Sequence, residues 1–170
     1  NNAKFTKEKE SKYLALLVNE EKPITSVVIP DSVTSIGDSA FQDNQLTSVI
    51  IPNSVISVGN YAFYNNQLVN VTISDSMTVI GGFAFANNQL TNITIPDRIT
   101  NIGHSAFRGN QLTSITIPNR VGNIGGYAFY DNQLTSITIS DSVRSIGDAA
   151  FNNNQLPDSE AFIYARNSGD

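Results

Sequence analysis

The residue types that most often carry catalysis or bind metal ions are scarce in this chain. Among its 170 residues there is one histidine, His104, and no cysteine. The lack of cysteine excludes disulfides, thiolate zinc sites and cysteine nucleophiles, and a single histidine excludes multi-histidine metal sites. The chain repeats every 22 residues, as described below, and the residues 22 positions before and after His104 are Gly82 and Gly126. No carboxylate therefore stands at the equivalent position of a neighbouring repeat to orient the imidazole. We therefore predict a protein that is not an enzyme, has no metal site and needs no cofactor.

Aromatic side chains form the first candidate ligand-binding group. Tyr61, Tyr64 and Phe83 fall in neighbouring repeats, and Tyr127 and Tyr130 occupy equivalent positions further along the chain. Rings clustered on a surface can bind a sugar ring or a side chain of a partner protein. The alternative is that these rings pack over the glycines that precede them.

Two arginines form the second candidate group. Arg98 and Arg120 are one repeat apart, and like charges on adjacent strands are destabilising unless an opposite charge lies close. They could attract an anionic partner, or each could pair with a neighbouring aspartate. The aspartates at one position of the repeat could in principle bind calcium, and they are Asp31, Asp75, Asp97 and Asp141. Other repeats have asparagine at this position, which favours turn formation over calcium binding.

The overall composition restricts the class of protein and its partners. With 40% hydrophobic and 15% charged residues, the chain is expected to fold around an apolar core. A net charge of -5 argues against nucleic acid, which needs a concentrated basic face. The apolar run from Tyr13 to Val18 is too short for membrane insertion or a signal peptide. Since the chain starts at Asn1 without a methionine, we expect it to be a segment of a longer protein.

An internal repeat positions all of these candidates. The tripeptide Asn-Gln-Leu recurs at intervals of 22 residues, with its leucine at Leu46, Leu68, Leu90, Leu112, Leu134 and Leu156. Six units of 22 residues fill residues 24–155 without an insertion, and Ile24 takes the place of the first leucine. A unit this short cannot bury its own apolar face, so the units must stack into a solenoid with a parallel β-sheet.

Each part of the repeat L-T-x-I-T-I-P-D-x-V-x-x-I-G-x-x-A-F-x-x-N-Q has a physical role. Leu112, Ile115 and Ile117 alternate with polar residues and predict a half-buried strand that ends at Pro118, and a second extended piece covers 121–124. The glycine indicates either positive φ or a backbone too close to its neighbour for a Cβ atom. The phenylalanines are expected to stack between coils, and the asparagines to satisfy backbone groups at a tight corner. These structural positions are Gly37, Gly59, Gly81, Gly103, Gly125 and Gly147; Phe41, Phe63, Phe85, Phe107, Phe129 and Phe151; and Asn44, Asn66, Asn88, Asn110, Asn132 and Asn154.

The aperiodic ends are expected to cover the open ends of the stack. Residues 1–23 form the N-terminal cap, with an amphipathic helix at about 6–18 supported by Glu8 and Lys12 four residues apart. Residues 156–170 form the C-terminal cap, with a strand at 161–165 and a loose tail.

The repeat resembles the BspA-like leucine-rich repeats, whose usual pattern is close to L-x-x-I-x-I-P-x-x-V-x-x-I-G-x-x-A-F-x-x-C. The resemblance covers residues 24–156, with asparagine at the position that is often cysteine and a link one residue shorter. It implies a right-handed leucine-rich-repeat solenoid, α/β but mostly β, from an extracellular or cell-surface protein of a bacterium or protist. It also implies adhesion to proteins or cells, and it supplies no catalytic residues.

The expected function is therefore non-enzymatic binding of a protein or glycan ligand. The alternative is a rigid spacer that displays other domains. Neither nucleic acid nor membrane insertion is expected.

Overall fold

The structure, a computed structural model, describes residues 13–14 and 23–157. These residues form eleven short β-strands and no helix. The strands are β1 (Tyr13–Leu14), β2 (Ser35–Ile36), β3 (Ser48–Ile50), β4 (Ser57–Val58), β5 (Asn70–Thr72), β6 (Val79–Ile80), β7 (Asn101–Ile102), β8 (Ser114–Ile117), β9 (Asn123–Ile124), β10 (Ser136–Ile139) and β11 (Ser145–Ile146). We number the coils one to six from the units that begin at Ile24, Leu46, Leu68, Leu90, Leu112 and Leu134.

The main sheet is built from the second extended piece of each repeat. Its seven strands are all parallel and lie in the order β1-β2-β4-β6-β7-β9-β11. Ser35 pairs with Ser57, and Asn101 pairs with Asn123, so the register between coils equals the repeat length. The predicted solenoid of stacked coils with a parallel sheet is confirmed.

The L-x-x-I-x-I segment forms strands only in coils two, three, five and six. There it makes two separate parallel pairs, β3 with β5 and β8 with β10. In β8, exposed Ser114 and Thr116 alternate with buried Ile115 and Ile117, which is the half-buried pattern expected from the sequence. The corresponding segment of coil four, 91–95, is not a strand, and the sheet on this side is therefore interrupted.

The predicted helix at about 6–18 is wrong at the residues that the structure describes. Tyr13 and Leu14 form β1, which pairs in parallel with β2 through Tyr13 with Ser35 and Leu14 with Ile36. The physical reason is that β2 is the first strand of the repeat sheet, and an extended segment can form backbone hydrogen bonds with such a strand whereas a helix cannot. The first strand thus covers this edge in the same 22-residue register as the coils. The rest of the predicted helix, the predicted strand at 161–165 and the tail lie outside the described residues.

A stack of phenylalanine rings forms the centre of the core. Consecutive rings from Phe41 to Phe151 have centroids 5.0 to 5.5 Å apart and interplanar angles of 11° or less. The leucine that opens each of coils two to five is fully buried beside them. One identical ring from every coil therefore fills the interior, and the coils stack without a change of diameter.

The asparagines close the corner between one coil and the next. The Oδ1 atom of Asn66 accepts a hydrogen bond from the Leu46 N–H at 3.0 Å, at the start of the same coil. Its Nδ2 atom donates to the Phe41 carbonyl of the preceding coil at 2.8 Å and to the Phe63 carbonyl at 3.2 Å. The same donors and acceptors recur for Asn88, Asn110, Asn132 and Asn154. Each asparagine thus both closes its own coil and attaches it to the previous one.

Candidate functional site

A row of aromatic rings runs along the outside of the solenoid. Tyr61 and Phe83 stack with centroids 4.7 Å apart and an interplanar angle of 5°. The imidazole of His104 follows at 5.4 Å from Phe83, and Tyr127 at 5.6 Å from His104. These four rings, from coils two to five, are the outer aromatic ladder.

Three further side chains flank the outer aromatic ladder. Tyr64 packs edge-on against Tyr61 at 5.5 Å, and Tyr130 packs edge-on against Tyr127 at the same distance. The guanidinium carbon of Arg108 lies 5.2 Å from the centre of the Tyr130 ring, within the range of a cation–π contact. All five aromatic candidates of the sequence analysis therefore lie along one surface.

His104 joins this surface although it stands one position earlier in the repeat than Tyr61, Phe83 and Tyr127. The equivalent residue of coil four is Ser105, whose small side chain is fully buried. Its hydroxyl has no hydrogen-bond partner among the described residues. The ring of His104 occupies the space that a ring at 105 would fill, and Gly126 leaves room for it, since a Cβ atom there would lie 3.3 Å from the His104 Nδ1 atom. Sequence reasoning missed this role of His104, although the glycines at 82 and 126 were a signal of space around it.

The backbone does not require aromatic residues at these positions. Tyr61, Phe83 and Tyr127 have positive φ values of 57°, 56° and 57°, in the left-handed region that bulky residues rarely adopt. Ser39 and Ala149 take the same conformation in coils one and six. Moreover, Tyr61 and Tyr127 remain 38% and 37% exposed, so the rings do not fill the core. They contact one another and the solvent.

The two arginines lie apart from the outer aromatic ladder. Arg98 and Arg120 are exposed, in the turns that follow the L-x-x-I-x-I segments of coils four and five. Neither guanidinium forms an ion pair with a carboxylate of the described residues. The structure therefore does not combine the two candidate groups into one site.

A cleft of about 530 Å³ opens beside these turns. It lies where the unpaired segment of coil four faces β8, and its walls include Asp97, Thr116 and Thr138. Sequence reasoning missed this cleft, because the repeat pattern is the same in coils four and five and gives no sign that their strands do not pair.

In the described part of the chain there is no group of three or more histidine, cysteine, aspartate or glutamate residues that could hold a metal ion. Among the same residues, no helix has the length and apolar character needed to span a bilayer.

Comparison with solved structures identifies proteins of the same fold. A leucine-rich repeat protein from Bacteroides ovatus is 28% identical, with a TM-score of 0.76 over 90% of this chain and 44% of that one. A leucine rich cell surface protein from Faecalibacterium prausnitzii is 29% identical, with a TM-score of 0.72 over 92% of this chain and 48% of that one. The chain thus spans less than half the length of these two proteins. A leucine rich repeat protein from T. pallidum, 21% identical, shares the fold with a TM-score of 0.71 over 99% of this chain and 94% of that one.

Sequence comparison assigns the family. A search of curated proteins finds no match. The model of the BspA type leucine rich repeat region, however, matches six copies, over residues 18–89 and 78–160. These matches include all of the described coils, and the chain belongs to the BspA type leucine rich repeat family.

Proposed function

We propose that this chain is a non-enzymatic recognition module of a surface-exposed or secreted protein, and that it binds a protein or glycan ligand through the outer aromatic ladder. The observation that carries the proposal is the placement of three bulky rings in left-handed backbone at the same corner of the coil, where Tyr61 and Tyr127 are exposed and Phe83 is half-buried. Such conformations cost about 1 kcal/mol or more for residues other than glycine. Because serine and alanine occupy the same corner in other coils, the rings need a reason other than the fold, and ligand binding supplies one.

The composition of the surface supports recognition by contact with rings. Aromatic residues are enriched in the energetically dominant parts of binding interfaces, where they offer large area at low cost in conformational entropy. A surface location is supported by the F. prausnitzii relative, which is described as a leucine rich cell surface protein.

The chain itself supplies the substitutions for a test of this proposal. Coil one has Ser39 and Gln42 where coil two has Tyr61 and Tyr64, so the triple variant Tyr61→Ser, Tyr64→Gln, Phe83→Ser removes the rings while keeping residues that the corner accepts. We expect it to lose at least about tenfold in affinity, because central aromatic contacts each contribute about 2 kcal/mol in typical interfaces. Binding is measured on an array of immobilised glycans and purified extracellular matrix proteins.

A matched control removes an exposed apolar side chain that is not part of the outer aromatic ladder. Ile50 on β3 is 71% exposed, and the equivalent position holds threonine in coils three to six, so Ile50→Thr changes the strand face alone. It should leave binding unchanged. If the triple variant binds as the wild type does, or if Ile50→Thr abolishes binding, the outer aromatic ladder is not the recognition surface.

A second candidate function is a rigid spacer between other domains. The observation that favours it is the continuous connection of coils through stacked phenylalanines and bonded asparagines. A spacer would bind nothing on the array in either the wild-type or the triple variant.

A further inference from the structure

The two faces of the Tyr61 ring have different surroundings. One face is covered by Phe83, which lies parallel to it at 4.7 Å. The other face is directed along the stack toward coil one, where the equivalent residue is Ser39. A serine side chain is too small to cover a six-membered ring, and Ser39 is itself exposed. Among the described residues no ring lies above this face, and the outer aromatic ladder ends at Tyr61.

The spacing of the outer aromatic ladder sets where one further ring would stack on Tyr61. The neighbouring step of the outer aromatic ladder is 4.7 Å, close to the spacing of about 4.8 Å between parallel strands. A flat six-membered molecule stacked on Tyr61 would therefore lie over Ser39, in register with the ladder. Aromatic side chains and flat or apolar-faced rings prefer such stacked arrangements.

Coil one has polar residues at the repeat positions around Ser39. One oxygen of the Asp38 carboxylate accepts the Asn60 N–H at 2.7 Å, which holds the carboxylate at the corner next to Ser39. Gln42 stands at the repeat position that Tyr64 has in the next coil, and its amide donates to the Asp43 carboxylate at 2.9 Å. An apolar surface with a few convergent polar groups is typical of small-molecule sites.

The chemistry of these groups favours a saccharide over a cationic side chain. An arginine of a partner protein has only hydrogen-bond donors, so it could donate to the Asp38 carboxylate but could not accept a hydrogen bond from the Ser39 hydroxyl. Hydroxyl groups both donate and accept, and they match all three side chains. A pyranose ring also has an apolar C–H face that can lie on the Tyr61 ring.

We propose that the free face of Tyr61, together with Asp38, Ser39 and Gln42, binds one pyranose ring of a neutral saccharide. This inference rests on the proposed function, since it specifies the ligand class of one end of the outer aromatic ladder.

The decisive variant is Ser39→Tyr, which adds a ring without removing one. Tyrosine and phenylalanine already occupy this backbone position in coils two, three and five with the same positive φ, so the variant should fold. The new ring would extend the ladder by one step and cover the free face of Tyr61. The probes are cellobiose, lactose and N,N′-diacetylchitobiose, titrated into the ¹⁵N-labelled chain. We expect at least one of them to shift the amide signals of Asp38, Ser39 and Tyr61 saturably, and Ser39→Tyr to weaken that binding at least tenfold.

Ala149→Tyr is the matched control, because it places the same ring at the equivalent left-handed position of coil six. That position is five coils from Ser39, or about 24 Å at the strand spacing, so binding of the disaccharide should be unchanged. The inference is overturned if no disaccharide shifts these amides, if Ser39→Tyr binds as the wild type does, or if free arginine methyl ester saturates the site and the disaccharides do not. This inference and the proposed function can fail separately. If the triple variant loses binding on the array but no disaccharide binds at Tyr61, the outer aromatic ladder remains the recognition surface and only this inference fails.

Discussion

Replacement of Gly103 by alanine is expected to destabilise the solenoid by about 3 kcal/mol or more. A Cβ atom at this position would lie 2.5 Å from the Gly81 carbonyl carbon, 2.6 Å from the Gly82 nitrogen and 2.7 Å from the Gly81 carbonyl oxygen. All three are backbone atoms of the preceding coil. They cannot move away without separating the coils, because the Gly103 N–H donates to the Ile80 carbonyl across the same junction at 2.9 Å. The free energy of unfolding, from urea titration followed by circular dichroism, measures the effect.

Gly122→Ala is the control for this prediction. Gly122 belongs to the next coil, and the nearest heavy atom to a Cβ atom there is the Thr100 carbonyl oxygen at 4.0 Å, an ordinary contact. Since alanine also restricts the unfolded chain more than glycine does, this variant should be neutral or more stable by up to about 1 kcal/mol. Equal losses of stability in the two variants would contradict the argument from close approach.

Replacement of Asn88 by alanine is expected to cost about 3 kcal/mol, since it removes the groups that close coil three. The Asn88 Oδ1 atom accepts the buried Leu68 N–H at 3.0 Å, and its Nδ2 atom donates to the Phe63 and Phe85 carbonyls at 2.9 and 3.1 Å. Alanine leaves the Leu68 N–H without a partner and opens a small cavity. Thermal and urea unfolding measure the loss, and a stability equal to that of the wild type would show that these bonds contribute nothing net.

Asn88→Asp provides a pH-dependent version of the same test. The new carboxylate oxygen would face the carbonyls to which Nδ2 now donates, so the pKa of this group should be higher in the folded state than in the unfolded chain, because only the protonated acid can donate. The folded state then binds the proton more tightly, and the variant should become more stable, relative to the wild type, as the pH falls from about 7 toward about 4. A difference between variant and wild type that is constant over this range would contradict the assigned geometry.

Asn87→Gly is the control for both Asn88 variants. Asn87 has a φ of 53° and is exposed, and the next coil has Gly109 with a φ of 66° at the same repeat position. Glycine therefore fits the backbone, and only the exposed hydrogen bond from Asn87 Nδ2 to the Tyr64 hydroxyl is lost. We expect a change of no more than about 1 kcal/mol.

The repeat was sufficient to predict the fold because every unit has the same length. With no insertion in residues 24–155, each coil closes at the same place, and strands pair with an offset of one unit, as Ser35 with Ser57. Apolar alternation predicted which side of the L-x-x-I-x-I segment is buried, as β8 shows. The same pattern could not predict which of these segments pair. They pair only between coils two and three and between coils five and six, although their residues are nearly identical in all coils.

The N-terminal helix was predicted wrongly because short segments satisfy more than one pattern. Tyr13 fits the apolar face of a helix together with Leu16 and Leu17, and Tyr13 and Leu14 equally fit the position of Ser35 and Ile36 one unit later. The deciding factor is the backbone of β2, with which these two residues pair and which belongs to another part of the chain. The corner glycines illustrate the same limit: the sequence allowed positive φ or close approach, and at Gly103 it is close approach to coil three.

By itself the sequence determined the number of coils, their register and the identity of the residues that recur in the core and at the corners, because periodicity in a chain without insertions becomes periodicity in space. Only the tertiary structure decided which non-recurring residues meet. His104 lies one position away from Tyr61, Phe83 and Tyr127 in the repeat, yet its ring joins theirs because Ser105 and Gly126 leave space for it. For a similar reason no ring of the described residues covers the second face of Tyr61, since Ser39 is small. Both features depend on the size of the side chains in neighbouring coils. The sequence of one repeat does not include those side chains, so the repeat pattern alone could not predict either feature.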